Sequence, residues 1–439
     1  MTSVIFGVLK ALMNIKSFFK NKEVKNAGWI IGGRVAQMAL SLVVGILTAR
    51  YLGPSNYGLI GYGSAYLAFF SALCSLGLNS VIVKELIDHP DEQGEAIGTA
   101  IALRLVSSFL SVLMIYGIVS VLDRDEPLTI AVTFLCSIGT FFSSFDMFNY
   151  WFQYQYRSKV SSLASLCSYI ITSTYKILLL IFGKDVRWFA FATSIDYIVV
   201  AILLWAAYAR SGGKKLCFSF KKARSMLSVS YNYILSSMMV AIYGHTDKLM
   251  LKQMLDSSQV GYYNTAVAVC AMWTFILYAV IDSMTPTILQ LKSGEQSLYE
   301  RKNRQLYAVV FYMSVAVSLV FLVFGKWIIL ILYGKAYMDA VPILKIITWY
   351  TAFSFLGVAR NAWIVSEGMQ RYLKYMYFMA AVLNVVLNLL LIPHWGASGA
   401  AFASLITQVF TGIILPLFIK DLRPNAKLMI DSILLKGVF

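Results

Sequence analysis

The chain has 439 residues, is 59% hydrophobic and only 13% charged, and carries a formal charge of +16. An ordinary soluble domain is about a quarter charged, so a water-facing globule of this size would lack the polar surface to cover itself. Mean hydropathy is +0.71; a nucleic-acid reader is excluded despite the basic balance, because the apolar residues come in runs long enough to cross a bilayer.

In chain order, residues 1–25 carry Ile5, Val8, Leu9, Leu12, Ile15 and Phe19 at helical spacing, with Lys10, Lys16 and Lys20 between them. That pattern predicts a basic amphipathic helix lying on the membrane surface. Twelve apolar runs follow, near 28–50, 56–79, 97–121, 128–152, 160–182, 187–209, 227–251, 259–285, 306–332, 341–364, 372–392 and 397–419. Each has the roughly 20 residues that a helix needs to span the hydrocarbon core. The most basic loop, 211–226, separates a predicted N-lobe of six spans (26–210) from a C-lobe of six (227–420), and 421–439 reads as a charged tail.

Orientation follows from the side on which positive charge collects. With the N-terminus inside, both tails and the even-numbered loops hold 24 of the 37 Lys and Arg residues, and the opposite loops hold seven. Both termini are therefore expected in the cytoplasm. A short internal echo ties the halves together: Leu52-Gly53-Pro54-Ser55-Asn56-Tyr57-Gly58 follows span one, and Leu255-Asp256-Ser257-Ser258-Gln259-Val260-Gly261 follows span seven. Six spans is an even number, so the halves insert the same way up, as in a parallel repeat about an axis along the membrane normal.

Charges inside spans are expensive and mark cavities or partners. Span one places Arg34, Gln37, Ser41, Gly45 and Thr48 on one face; Arg104, Lys176 and Arg360 are cations of spans three, five and ten. Asp146, Asp196 and Asp282 are acids of spans four, six and eight. In span seven Asn232, Ser236, Tyr243 and Asp247 fall near one face, with Asp247 and Lys248 reading as a local ion pair or interfacial anchor. Asn384 and Asn388 stand one turn apart in span eleven and Gln408 lies in span twelve, positions suited to interhelical hydrogen bonds. Intramembrane cations are at least as numerous as acids, and a cationic surplus suits an anionic substrate. Five scattered cysteines and three histidines form no metal-ligand spacing, and no P-loop or nucleophile motif is present. The chain is expected to be neither an enzyme nor a metalloprotein, with no resident cofactor.

The stretch Ala49-Arg50-Tyr51-Leu52-Gly53-Pro54-Ser55-Asn56-Tyr57-Gly58, then Leu76-Gly77-Leu78 and Val83-Lys84-Glu85, resembles the opening of Wzx-type oligosaccharide flippases. Asp247-Lys248-Leu249-Met250, Val260-Gly261-Tyr262-Tyr263, Leu332-Tyr333-Gly334-Lys335, Leu391-Ile392-Pro393 and Gly396-Ala397-Ser398-Gly399-Ala400-Ala401 extend the resemblance, in order, over about residues 25–420. Those flippases are polysaccharide transporters of the multidrug/oligosaccharidyl-lipid/polysaccharide exporter (MOP) superfamily. The resemblance implies an all-α, MATE-like polytopic membrane protein, with twelve helices in two lobes around a central cavity. It also implies translocation of an undecaprenyl-diphosphate-linked oligosaccharide across a bacterial cytoplasmic membrane by alternating access, for cell-surface polysaccharide synthesis. In that reading Arg34, Arg104, Lys176 and Arg360 hold the diphosphate and acidic sugars. Gln37, Ser41, Asn232, Ser236, Asn384, Asn388 and Gln408 line the cavity, and Asp146, Asp196 and Asp282 are the groups to test for proton or sodium coupling. Implied partners are the lipid-linked oligosaccharide, membrane lipids, and a glycan polymerase or glycosyltransferase. The alternatives are a cation-coupled multidrug exporter of the same superfamily and a lipid II-type flippase.

Overall fold

The computed structural model describes residues 22–292 and 294–438, the side chains of 22–36, 39, 232 and 236 excepted. The surface helix expected at the N-terminus falls, up to residue 21, outside them. The described residues are helical, without a strand among them. The helices are α1 (Lys22–Ser75), α2 (Ile82–Asp88), α3 (Gln93–Leu122), α4 (Pro127–Ser137), α5 (Met147–Tyr154), α6 (Ser158–Ile181) and α7 (Val186–Arg210). They continue as α8 (Phe220–Met254), α9 (Ser257–Ala271), α10 (Thr274–Leu291), α11 (Gln296–Leu332), α12 (Ala340–Ser366), α13 (Leu373–Val409), α14 (Leu415–Phe418) and α15 (Arg423–Ile433).

Among the described residues nine helices are long and apolar enough to cross a membrane, or ten with a bent pair in α8 taken as one span. Twelve apolar runs had been expected. The difference arises where two runs share one element. In α1 the only non-helical residue is Gly53 (φ 71°), and in α13 it is Gly396 (φ 57°). Glycine enters the left-handed region without a Cβ clash, so a turn that reads as a loop shrinks to a single residue. Pro54 lies beside the first kink and Pro393 near the second, each removing a helical N–H. In α13 the kink is a reversal. Asn384 and Ser404 would stand about 30 Å apart on a straight helix, yet the Asn384 Nδ2 donates to the Ser404 Oγ at 3.3 Å.

By their contacts the described residues form two compact units: residues 22–45 with 70–235, and residues 46–69 with the described part of 236–438. Residues 46–69 precede the central basic loop yet group with the second unit.

In unit 1 the core gathers Leu78, Ile82, Leu86, Ile97 and Leu204 around Phe148, Trp151 and Phe152 of α5. Phe148 packs on Tyr208 with ring centroids 4.6 Å apart, and the Trp151 Nε1 donates to the Gln93 Oε1 at 3.0 Å. These aromatics are packing residues, buried within the unit. On α3, Val106, Phe109, Leu110, Leu113 and Val121 are exposed, as lipid-facing side chains should be. The basic segment after α7 is tied down rather than free. The Lys222 Nζ lies 2.6 Å from both the Glu85 Oε1 and the Glu92 Oε2, and the Lys214 Nζ donates to the Asp91 carbonyl at 2.8 Å. Lys222→Met is expected to leave the two carboxylates repelling each other and to destabilise unit 1 by about 1–2 kcal/mol, since the pair is only partly screened. A thermal melt of the detergent-solubilised variant against wild type measures this, and a melt identical to wild type would show the clamp to be idle.

In unit 2 the two copies of the sequence echo pack on each other. A Cβ built on Gly58 would lie 1.7 Å from the Ser257 carbonyl oxygen, and one on Gly261 would lie 2.1 Å from the Pro54 carbonyl oxygen. The seventh residue of each copy thus meets the third residue of the other, and the Ser55 and Ser257 hydroxyls bond at 2.8 Å. Further along, α15 docks on α11: the Asn425 Nδ2 donates to the Tyr307 hydroxyl and the Tyr312 hydroxyl to the Ile433 carbonyl, both at 2.7 Å. Most of the charged tail is therefore a packed helix of unit 2.

Candidate functional site

Each unit carries its own polar cluster. In unit 1, four of the intramembrane charges come together from α3, α6, α7 and the end of the 3-10 segment Ile138–Asp146. Arg104 on α3 is buried, and its Nη1 donates to the Asn79 Oδ1 at 3.3 Å. It acts electrostatically on Asp146, Asp146 on Asp196, and Asp196 on Lys176. The Ser168 hydroxyl holds the Asp196 Oδ1 at 2.6 Å. None of these cations and acids closes a direct ion pair with another described residue. Among these four, two cations face two acids. Low dielectric strengthens such charge–charge terms, which makes the cluster sensitive to any added or removed charge.

Unit 2 contains a cluster that sequence reasoning missed. Asp247 on α8 is only 4% exposed. It is neither an interfacial anchor nor held by a local ion pair. Its carboxylate accepts from the Tyr263 hydroxyl of α9 at 2.6 Å, from the Asn388 Nδ2 at 2.6 Å and from the Ser404 hydroxyl at 2.5 Å. Asn388 also donates to the Asn384 Oδ1 at 3.0 Å, which closes a ring through Ser404. The reversal at Gly396 builds this knot, because it folds the two limbs of α13 together. Three donors fix the position of this carboxylate. The Asn388 Oδ1 is buried with no hydrogen-bond partner. The available signal was the pair of asparagines one turn apart together with the polar face of span seven. What linked them was a pairing across 141 residues.

A second feature of unit 2 surrounds Arg360, which is 7% exposed on α12. Its guanidinium borders a cavity of about 170 Å³ whose lining includes Tyr243, Tyr350, Asn361, Tyr377 and Gln408. No carboxylate among the described residues forms an ion pair with it; the phenols of Tyr377 and Tyr307 are nearby. Tyr243 stands one helical turn before Asp247, so the cavity and the carboxylate knot share α8.

The remaining sequence candidates are dispersed. Gln37 is half-buried, and Ser41 is exposed with its hydroxyl engaging Tyr169. Asp282 is exposed on α10 and joins neither cluster. The side chains of Arg34, Asn232 and Ser236 lie outside those described. No group of three or more His, Cys, Asp or Glu side chains among the described residues is arranged to hold a metal ion.

Comparison with known proteins bears on both units. Residues 24–292 match the polysaccharide biosynthesis protein family. The chain is 24% identical over 361 residues to the probable low-salt glycan biosynthesis flippase Agl15 of Haloferax volcanii, covering 81% of this chain and 75% of that protein. Among solved structures it is similar to an inward-facing multidrug resistance MATE family transporter of the MOP superfamily, with a TM-score of 0.70 at 14% identity, over 90% of this chain and 96% of that one. It is also similar to the lipid II flippase MurJ in an inward closed conformation, with a TM-score of 0.69 at 14% identity, over 94% and 91% of the two chains. At such identities the structural likeness establishes a shared fold, that of MOP transporters.

Proposed function

This chain belongs to the polysaccharide biosynthesis protein family, and from that premise we propose that it is a flippase for a lipid-linked oligosaccharide. The cargo would be an undecaprenyl-diphosphate-linked repeat unit, moved between leaflets by alternating access in twelve spans. The observation that carries the reading is Arg360, a buried guanidinium without a carboxylate partner in a cavity lined by tyrosines and amides. Burying a charge unpaired costs several kcal/mol, a cost that makes sense where an anionic ligand arrives to offset it. Tyrosine faces and amide groups suit sugar rings and hydroxyls. The MOP-type fold supports transport rather than synthesis.

Coupling to a proton or sodium gradient is part of the proposal, with the Asp247 knot as its site. A buried carboxylate held only by neutral donors, with no cation paired to it, is a group on which a coupling proton can act. The four charges of unit 1 are the alternative place for a coupling proton.

The direct test is reconstitution. Vesicles containing the purified protein and a fluorescent undecaprenyl-diphosphate oligosaccharide are expected to move the lipid between leaflets faster than empty vesicles, measured by dithionite quenching. Arg360→Ala is expected to slow this at least tenfold. Equal rates with and without protein, for neutral and acidic glycans alike, would overturn the flippase reading. Transport of organic cations instead would favour a drug exporter.

A further inference from the structure

Arg360 is occupied on one side only. Its Nη1 donates to the carbonyl oxygens of Thr411 and Gly412, at 3.2 and 3.4 Å. Both belong to the π-helical turn Phe410–Ile414 that follows α13. A π turn bonds residue i to i+5, displaces carbonyls from their usual partners, and recurs at functional sites. Here the guanidinium supplies the missing donor. The same guanidinium has an Nε that is buried and makes no hydrogen bond, and its Nη2 makes none to a described residue. The Nε and Nη2 hydrogens form the planar edge with which arginine grips a carboxylate or phosphate in two parallel bonds. The Tyr243 hydroxyl also borders the cavity, beside that of Tyr350.

We propose that this cavity is a single-oxyanion site, in which the free edge of Arg360 takes one carboxylate or phosphate group while Nη1 stays on the π turn. The size of the cavity limits what enters. Water occupies about 30 Å³ in the liquid, so 170 Å³ holds the equivalent of five or six waters. That is room for one small acidic group, not for a diphosphate with its first sugars. Tyr243, Tyr350 and Tyr377 around the cavity add aromatic faces against which the ring carrying that group rests. The site therefore reads an acidic substituent on the glycan, and the diphosphate is held elsewhere. Assigning the anion to the cargo rests on the flippase reading; the oxyanion chemistry does not. Because Nη1 bridges to the π turn, occupancy also stiffens that turn, at the point where α13 passes into α14.

The full-length protein in detergent is titrated with glucuronate, inorganic phosphate and, as a neutral control, glucose, with melting temperature as the readout. Glucuronate and phosphate are expected to raise the melting temperature saturably, and glucose to leave it unchanged. Glucuronate binding more tightly assigns the anion to a sugar carboxylate; phosphate binding more tightly assigns it to a phosphate substituent. Arg360→Lys keeps the charge and a donor for the π turn but loses the planar edge, so both anions should bind about tenfold more weakly or worse. Tyr243→Phe removes one hydroxyl from the cavity wall and keeps the ring, and should weaken binding about threefold. Hydrogen exchange at residues 410–414 should slow when glucuronate is present in wild type. Absence of any saturable shift in wild type, or unweakened binding in both variants, would overturn the site. Anion binding without lipid movement in vesicles would retain the site and discard the flippase; lipid movement without anion binding would do the reverse.

Discussion

Asp247→Ala is expected to abolish lipid-linked glycan movement and to lower the stability of unit 2 more than any other single polar substitution. Three donors converge on this carboxylate from α9 and both limbs of α13. Removing the acceptor strands all of them in a buried environment, where breaking a charged network costs about 3–5 kcal/mol. The Ser404 hydroxyl and the Asn388 amide lose the partner that holds the α13 reversal closed. A melt of the variant should show the loss directly. Asp247→Asn separates stability from transport. The amide keeps the shape and one acceptor oxygen, so the fold should survive with a smaller loss, about 1–3 kcal/mol. Transport should still fall at least tenfold, because a neutral amide cannot exchange a proton or balance a cation. An Asp247→Asn protein that moves lipid at the wild-type rate would remove Asp247 from any coupling role.

The second large effect concerns the paired echo. Gly58→Ala and Gly261→Ala each place a methyl group 1.7 or 2.1 Å from a backbone carbonyl oxygen. The obstacle is backbone, so no side-chain rotation relieves it, and the two helices must part. Overpacking of this kind costs about 3 kcal/mol or more. Both variants are expected to express poorly and to melt well below wild type. Gly117→Ala is the control, because no atom lies within 4 Å of a Cβ built there; alanine at that helical position should be neutral or slightly stabilising. Wild-type stability in both Gly58→Ala and Gly261→Ala would mean that the echo segments do not make this contact. The double variant is expected to fall no further than either single one, since one separation relieves both clashes.

The echo shows how much the sequence conveys and where it stops. Three identities in seven residues, at matching positions of the two halves, were legible as a repeat. That the copies face each other was not, because a repeat specifies likeness and not contact. The Asp247 site follows the same rule. The polar residues of spans seven and eleven were visible one by one, and the sequence reads Asp247 as a local ion pair with Lys248 or an interfacial anchor. Its partners lie 16, 141 and 157 residues away, beyond the reach of helical periodicity, which relates only neighbours three or four apart. A tally of charges over the chain likewise cannot tell which of them share a neighbourhood. In unit 1 Arg104 and Lys176 share a neighbourhood with Asp146 and Asp196, whereas Arg360 in unit 2 has no carboxylate partner among the described residues.

The sequence by itself determined that this is an all-helical, multi-pass membrane protein. Apolar run length, loop charge and short motifs are local properties, and bilayer thickness converts them directly into helices. The tertiary structure decided which buried charges find counter-charges, which find only neutral donors, and which are left half-bonded beside a cavity. Those outcomes depend on kinks at single glycines, such as the one at Gly396 that brings Asn384 to Ser404. A one-residue change in backbone direction leaves composition and periodicity untouched, yet it decides what lies beside every charge downstream.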